Sequence, residues 1–268
     1  MLAGIDHVVV LVRDLSAATA GYERLGFTVR SGGEHAGGAT HNALIGFDDR
    51  CYFELIAFKE PDRPQDHKWW ARFAKGEGTV DFALLSESVD FEGDRLKQAG
   101  IEIDGPHDGG RLRPDGQRIA WRNLGLAAAG APLPFMIEDV TARDLRVPTA
   151  AATEHELGVT GIAGLILLVD DLARASGLYQ TLLDTSGESS TPITEGVRRA
   201  RRFRFGSQWI ELAEADPSAA DLQRHIQERG AGPHEIVLAG TGADVERLPL
   251  DLTHGARIRV EGAETRQG

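Results

Sequence analysis

Gly4-Ile5-Asp6-His7-Val8-Val9-Val10-Leu11-Val12-Arg13-Asp14-Leu15 lies near the start of the chain, and its pattern returns without a gap 157 residues later as Gly161-Ile162-Ala163-Gly164-Leu165-Ile166-Leu167-Leu168-Val169-Asp170-Asp171-Leu172. At the same offset Tyr22 matches Tyr179, Leu25 matches Leu182, and Glu54 in Tyr52-Phe53-Glu54-Leu55 matches Glu211 in Trp209-Ile210-Glu211-Leu212. An echo of this length marks a chain built from duplicated halves. The copies differ where it matters for chemistry: His7 becomes Gly164, so any paired action of histidine and glutamate belongs to the first copy.

Val8 to Val12 is a β-branched and aliphatic run, the form of a strand buried on both faces. Asp14 can cap a following helix on which Leu15, Ala18, Tyr22 and Leu25 share a face, and Gly26 ends it. Phe27 to Val29 reads as the next strand, Gly32 to Gly38 as a flexible loop, and His41 to Phe47 and Cys51 to Phe58 as strands joined by a turn at Asp48-Asp49-Arg50. The unit is β-α-β-β-β. It recurs from Val80, with strands at Phe82 to Leu85, Ile101 to Ile103, Arg118 to Trp121 and Leu133 to Ile137, and again from Gly161 to Leu212. A fourth copy begins near Glu235 to Leu238, where too little chain follows for the whole unit.

The expected class is therefore α+β, with four βαβββ modules, the last truncated, paired into curled mixed sheets that form cups. An N-terminal half over 1–145 holds modules 1–60 and 79–140; a linker covers 146–158; a second half over 159–268 holds module 159–215 and the truncated module 232–268. Helical connectors carry Trp69, Trp70 and Phe73 in the first half and Leu222 and Ile226 in the second.

Composition narrows the partners. At 268 residues and 41% hydrophobic the chain can bury a substantial core. A formal net charge of −12 argues against nucleic acid and anionic membrane surfaces. No run approaches the roughly 20 apolar residues of a membrane span. The lone Cys51 excludes an internal disulfide and a multi-cysteine zinc site, which suits a cytoplasmic location. No phosphate loop, nucleophile elbow or dinucleotide fingerprint is present. The expected partner is a small molecule, and a homodimer is left open.

Several of these stretches together resemble the vicinal oxygen chelate superfamily, and more narrowly its glyoxalase-like branch. They are Asp6-His7-Val8-Val9 before Asp14-Leu15, Gly32-Gly33-Glu34-His35 through Thr40-His41-Asn42-Ala43-Leu44, Tyr52-Phe53-Glu54-Leu55, Arg113-Pro114-Asp115-Gly116 before Trp121, and Leu133-Pro134-Phe135. The resemblance implies paired modules forming a cup that often holds a divalent metal. It places His7 at the first-strand ligand position and Glu54 at the fourth-strand one.

Both residues interrupt apolar strands, and a buried carboxylate there needs a cation, a hydrogen-bond network or water. Imidazole and carboxylate suit Fe, Mn, Zn, Ni or Co. In the partner module the equivalent positions read as Phe82 and Met136, which cannot ligate, so His41, His35 or His155 is left to complete the set, with His41 taken as third ligand. His35, Thr40 and Asn42 are candidate pocket residues. The expected function is a metal-dependent glyoxalase-like enzyme of isomerase, lyase, epimerase or dioxygenase chemistry, with His7 and Glu54 catalytic and Glu54 also able to serve as a base. The alternative is a metal-free binding protein of the bleomycin-resistance type. Arg198, Arg202 and Arg204 share one strand face near Glu211, either as an anion-binding wall or as a brace.

Overall fold

The computed structural model describes residues 2–129, 131–245 and 247–262. The first module is β1 (Leu2–Val12), α1 (Leu15–Arg24), β2 (Arg30–His35), β3 (Thr40–Gly46) and β4 (Tyr52–Phe58). A short connector helix α2 (Trp70–Phe73) leads to the second module: β5 (Gly78–Ser86), α3 (Val89–Gln98), β6 (Glu102–Leu112), β7 (Arg118–Ala127) and β8 (Phe135–Asp139). After α4 (Arg143–Arg146) come β9 (Val159–Leu168), α5 (Leu172–Leu183), β10 (Glu188–Ser190), β11 (Val197–Phe205) and β12 (Gln208–Ala215). Helix α6 (Ala220–Arg229), β13 (Gly232–Gly240) and β14 (Arg257–Glu261) complete the described elements. The fold is α+β, and none of the described helices is long and apolar enough to cross a membrane.

The first two modules close into an eight-stranded barrel, ordered β1-β4-β3-β2-β6-β7-β8-β5. Within each module the first and fourth strands pair in parallel, β1 with β4 and β5 with β8, while β1 and β5 pair antiparallel across the module boundary. The third module repeats the pairing with β9 and β12. Its sheet stays open, six strands in the order β10-β11-β12-β9-β13-β14. The parallel pair β13 and β14 stands where first and fourth strands would, so the truncated unit keeps its two core strands without a helix or middle strands between them among the described residues.

Strand parity explains why β1 is apolar throughout. Val8, Val10 and Val12 face the helices in a cluster that also takes in Tyr22, Leu96, Tyr179 and Ile258, whereas Val9 and Leu11 face the barrel interior with Ile56, Phe58, Ile119 and Ile137. The helices begin where expected: Asp14 Oδ1 accepts from the Ser16 and Ala17 amides, and Asp171 caps α5 in the same way.

Two expectations are corrected. Phe27 to Val29 is not a strand, and the glycine-rich stretch read as a flexible loop is largely β2 itself. Its glycines serve close packing: a side chain on Gly32 would collide with Asn42 and Arg111, and one on Gly33, at φ +122°, with the Leu112 carbonyl of β6. The strand joins the two modules through Glu34 to Leu112 and His35 to Arg111, which is what closes the barrel.

Candidate active site

The barrel encloses a cavity of about 360 Å³, within the range of small-molecule sites. Strand β1 supplies His7, β2 His35, β3 Thr40 and Asn42, and β4 Tyr52, Glu54 and Ile56. The second module supplies Arg111 from β6, Trp121 and Asn123 from β7, and Phe135 and Ile137 from β8. His67, Lys68 and Trp69 come from the connector and Arg146 from α4.

At the centre lies Glu54, 6% exposed. Its Oε1 accepts from Asn42 Nδ2 at 2.6 Å and lies 3.2 Å from His35 Nε2, and its Oε2 lies 3.5 Å from His7 Nε2. Burial alone would raise this carboxyl; the hydrogen bond and charge of His35, the charge of His7 and the Asn42 amide outweigh it and hold Glu54 far below the ordinary carboxylate range. His7 stacks on Tyr52 with ring centroids 4.7 Å apart and meets Phe135 edge-on.

His7 is oriented from behind. Its Nδ1 donates to Asp6 Oδ1 at 2.6 Å, since an ionised carboxylate can only accept. Asp6 is fully buried and bridged by Arg146, with contacts of 2.8 and 2.9 Å, and by Arg143. Burial opposes ionisation of Asp6, and the Arg146 charge and hydrogen bonds reverse it, so the carboxyl sits well below its usual value. Arg146 also donates to the Tyr52 hydroxyl and to Asp139.

Glyoxalase-like is also the description of the sequence family whose profile matches residues 5–183. The chain belongs to the glyoxalase-like domain family. That family lies within the vicinal oxygen chelate superfamily. No curated protein sequence matches. Among solved structures, a hypothetical protein from Staphylococcus aureus superposes with TM-score 0.69 at 13% identity, covering 96% of this chain and 98% of that one. A mutant 4-hydroxymandelate synthase from Streptomyces coelicolor gives TM-score 0.61 at 14% identity, over 89% of this chain and 71% of the other. A fusion of a xylose isomerase-like TIM barrel with a 4-hydroxyphenylpyruvate dioxygenase gives 0.56 at 16%, over 89% of this chain and 36% of that one. At these identities the likeness is one of fold.

Within this glyoxalase-like barrel, His7, Glu54, His35, Thr40 and Asn42 come together, and His41 does not. On β3, Thr40 and Asn42 face the cavity, so His41 between them points to the other side. His35 lines the cavity, with its Nδ1 2.8 Å from Thr40 Oγ1. His155 stands apart, held by the Gly46 carbonyl and the Thr28 amide. The partner-module positions were also displaced by one residue. Phe82 and Met136 lie in the helical layer, and Ala83, Phe135 and Ile137 face the barrel interior, again with no ligating side chain.

The donor chemistry fits a divalent cation. With its Nδ1 proton directed at Asp6, His7 presents Nε2 to a carboxylate oxygen at 3.5 Å, and two acceptors so placed call for positive charge between them, a proton or a metal. His35 offers a second imidazole at the same carboxylate. The three are nonetheless drawn together as ion-paired neighbours, and no group of three His, Cys, Asp or Glu among the described residues forms a ready metal cage.

Among its described residues the second half has no such centre. The Trp209 ring occupies the space a side chain on Gly164 would need, and Arg202 stacks on it at 3.9 Å while pairing with Glu211. Arg198 pairs with Glu214 and Arg204 with Glu188, so all three arginines act as braces. Cys51 is buried, with its thiol donating to the Ile5 carbonyl, and burial pushes its ionisation upward. Arg111, Arg146, Tyr52 and Phe135 are not singled out as site residues by the sequence, and Trp121, which reads there as pocket rim or fold, lines the cavity. Tyr52, Trp121 and Phe135 stand in stretches that carry the family resemblance, and Arg146 follows Arg143 by three residues after an acid at Asp139.

Proposed function

We propose that this protein is a glyoxalase-like enzyme acting on a small oxygenated organic molecule, with a divalent metal held by His7, Glu54 and His35. The observation that carries the reading is the Glu54 carboxylate, set between two imidazoles inside a cavity walled by Trp69, Trp121 and Phe135. A bound divalent ion would supply Lewis-acid polarisation of adjacent substrate oxygens. The chain's own groups do the rest. Asp6 and Arg146 fix the His7 ring, the aromatic walls exclude water, and Glu54, held ionised by His35, His7 and Asn42, supplies the anionic ligand; only when released from the metal would it serve as the base that takes a proton from a carbon beside a carbonyl. That step is common to isomerase, lyase and epimerase chemistry; with a redox-active metal, dioxygenase chemistry is the variant. A cytoplasmic setting goes with the same reading.

A second reading, a metal-free binding protein, has one observation in its favour: Asn42 donates directly into Glu54, so the carboxylate is already satisfied by the chain. Elemental analysis and calorimetric titration with Fe, Mn, Zn, Ni and Co separate the two. The enzyme reading expects stoichiometric metal, lost in His7→Ala and Glu54→Ala, weakened in His35→Ala and retained in His41→Ala. Failure of every metal to bind wild type would remove it and leave the binding protein.

A further inference from the structure

Arg111 is 5% exposed and lines the cavity, yet no carboxylate lies within ion-pairing distance of it among the described residues. Its hydrogen bonds go to neutral oxygens, the Asn42 Oδ1 at 3.3 Å and the Arg146 carbonyl at 2.9 Å, and its Nε has no partner. The other buried arginine is different: Arg146, with Arg143 beside it, is matched by Asp6 and Asp139. Lys68 at the cavity wall is matched by Asp81 at 3.0 Å. Of the buried acids, Glu54 alone is left to balance Arg111, and it reaches it only through Asn42, while two imidazoles or a metal compete for the same carboxylate. Asp104, the other acid that lines the cavity, sits 2.8 Å from His107, which leaves the Arg111 guanidinium in the cavity wall with no acid against it. A desolvated guanidinium so placed attracts an anion, and suits one with two oxygens in a plane.

The body of the ligand is constrained by the walls. Trp121 lies across Gly109, where a side chain would strike the indole, and Trp69 and Phe135 stand with ring centroids 6.5 Å apart under the Lys68 ammonium. Such surfaces receive a flat apolar group.

We infer that the cavity takes a planar apolar acid, with its carboxylate or equivalent oxyanion against the Arg111 guanidinium and its flat body against Trp121, Trp69 and Phe135. The inference rests on this cavity being the substrate site. It makes Arg111 the residue that sets substrate charge, separated from Glu54 by Asn42.

The test compares phenoxyacetate with its neutral isostere phenoxyacetamide, by tryptophan fluorescence and calorimetry on the full chain. Chelator-treated protein is used so that no metal can act as the anion receptor. Wild type should bind the acid about ten- to a hundred-fold more tightly than the amide, as expected for hydrogen bonds to a charged group, and Arg111→Gln should abolish the preference while leaving amide binding in place. If Arg111→Gln does not fold, Arg111→Lys serves: it keeps the charge but loses the fork, and should weaken the acid alone. Equal affinity for acid and amide, or a preference that survives both variants, overturns the inference while leaving the cavity as a binding site. Binding of neither probe overturns it too, and the metal titration then judges the enzymatic reading separately.

Discussion

The Asp6 carboxylate is wholly buried and held by arginines from a segment about 140 residues away. Breaking a buried pair from one side leaves a charge with neither water nor partner. Arg146→Met should therefore destabilise the protein by about 3 to 5 kcal/mol, somewhat less if Arg143 closes up, and Asp6→Asn in the same chain should restore part of the loss. Urea unfolding of the two single variants and the double variant measures this; additive losses would show that the pair is not coupled. His7 and Glu54 were legible in the sequence because an ionisable side chain inside an apolar strand is conspicuous. Arg146 and Arg111 were not, because arginine is unremarkable in a loop or beside glycines until the fold shows which acids it meets or fails to meet.

Elements were read well where local chemistry decides them. The Asp14 cap, the Gly26 stop and the hairpin at 48–50 need only neighbouring residues. Strand β2 was missed because its glycines exist for contacts with β3 and β6, and the period-two pattern that would reveal a strand is erased when side chains are absent. The partner-module ligand positions slipped by one residue for a related reason: a one-residue shift in a strand exchanges its two faces, and both faces here are apolar. The duplicated strand β9 offers a direct test of how the second cup was closed. Gly164→Ala puts a methyl group into the Trp209 ring and should cost about 1 to 3 kcal/mol, and Trp209→Tyr should relieve it. If Gly164→Ala unfolds at the wild-type urea midpoint, the ring is not what excludes a side chain there.

At the scale of the molecule, the two halves share one hydrophobic cluster and a buried polar seam. Gln208 of the second half accepts from the Ile5 amide at 2.7 Å and donates to Cys51, Asp49 accepts from the Ile162 amide, and Tyr22 donates to the Thr253 carbonyl. A single unfolding transition is expected, with tryptophan fluorescence and far-ultraviolet circular dichroism coinciding in urea; two separated transitions would mean that the halves fold independently. Acid sensitivity should come in part from His234, which is buried on β13 against His225. Burial, then the charges of His225, Arg257 and Arg247, push it down to about 2. The unfolded chain then binds the extra proton below about pH 6.5, so stability is full above that pH and falls as pH drops, by roughly 2 kcal/mol at pH 5 for this one group. His234→Gln should flatten the change in urea midpoint between pH 7 and pH 5, and an unchanged slope would assign the acid sensitivity elsewhere.

The sequence by itself determined the repeating βαβββ unit, the superfamily, and the confinement of the His7 and Glu54 pair to the first module, Gly164 standing where a second histidine would. All of these follow from spacing and from residue types that are costly where they stand. The tertiary structure alone decided that the first two modules close into a barrel while the third stays open. It also decided that His35 and not His41 meets Glu54, and that Arg111 enters the cavity without an acid beside it. These depend on which face of a strand points inward and on pairings between residues far apart in the chain, which local pattern does not encode.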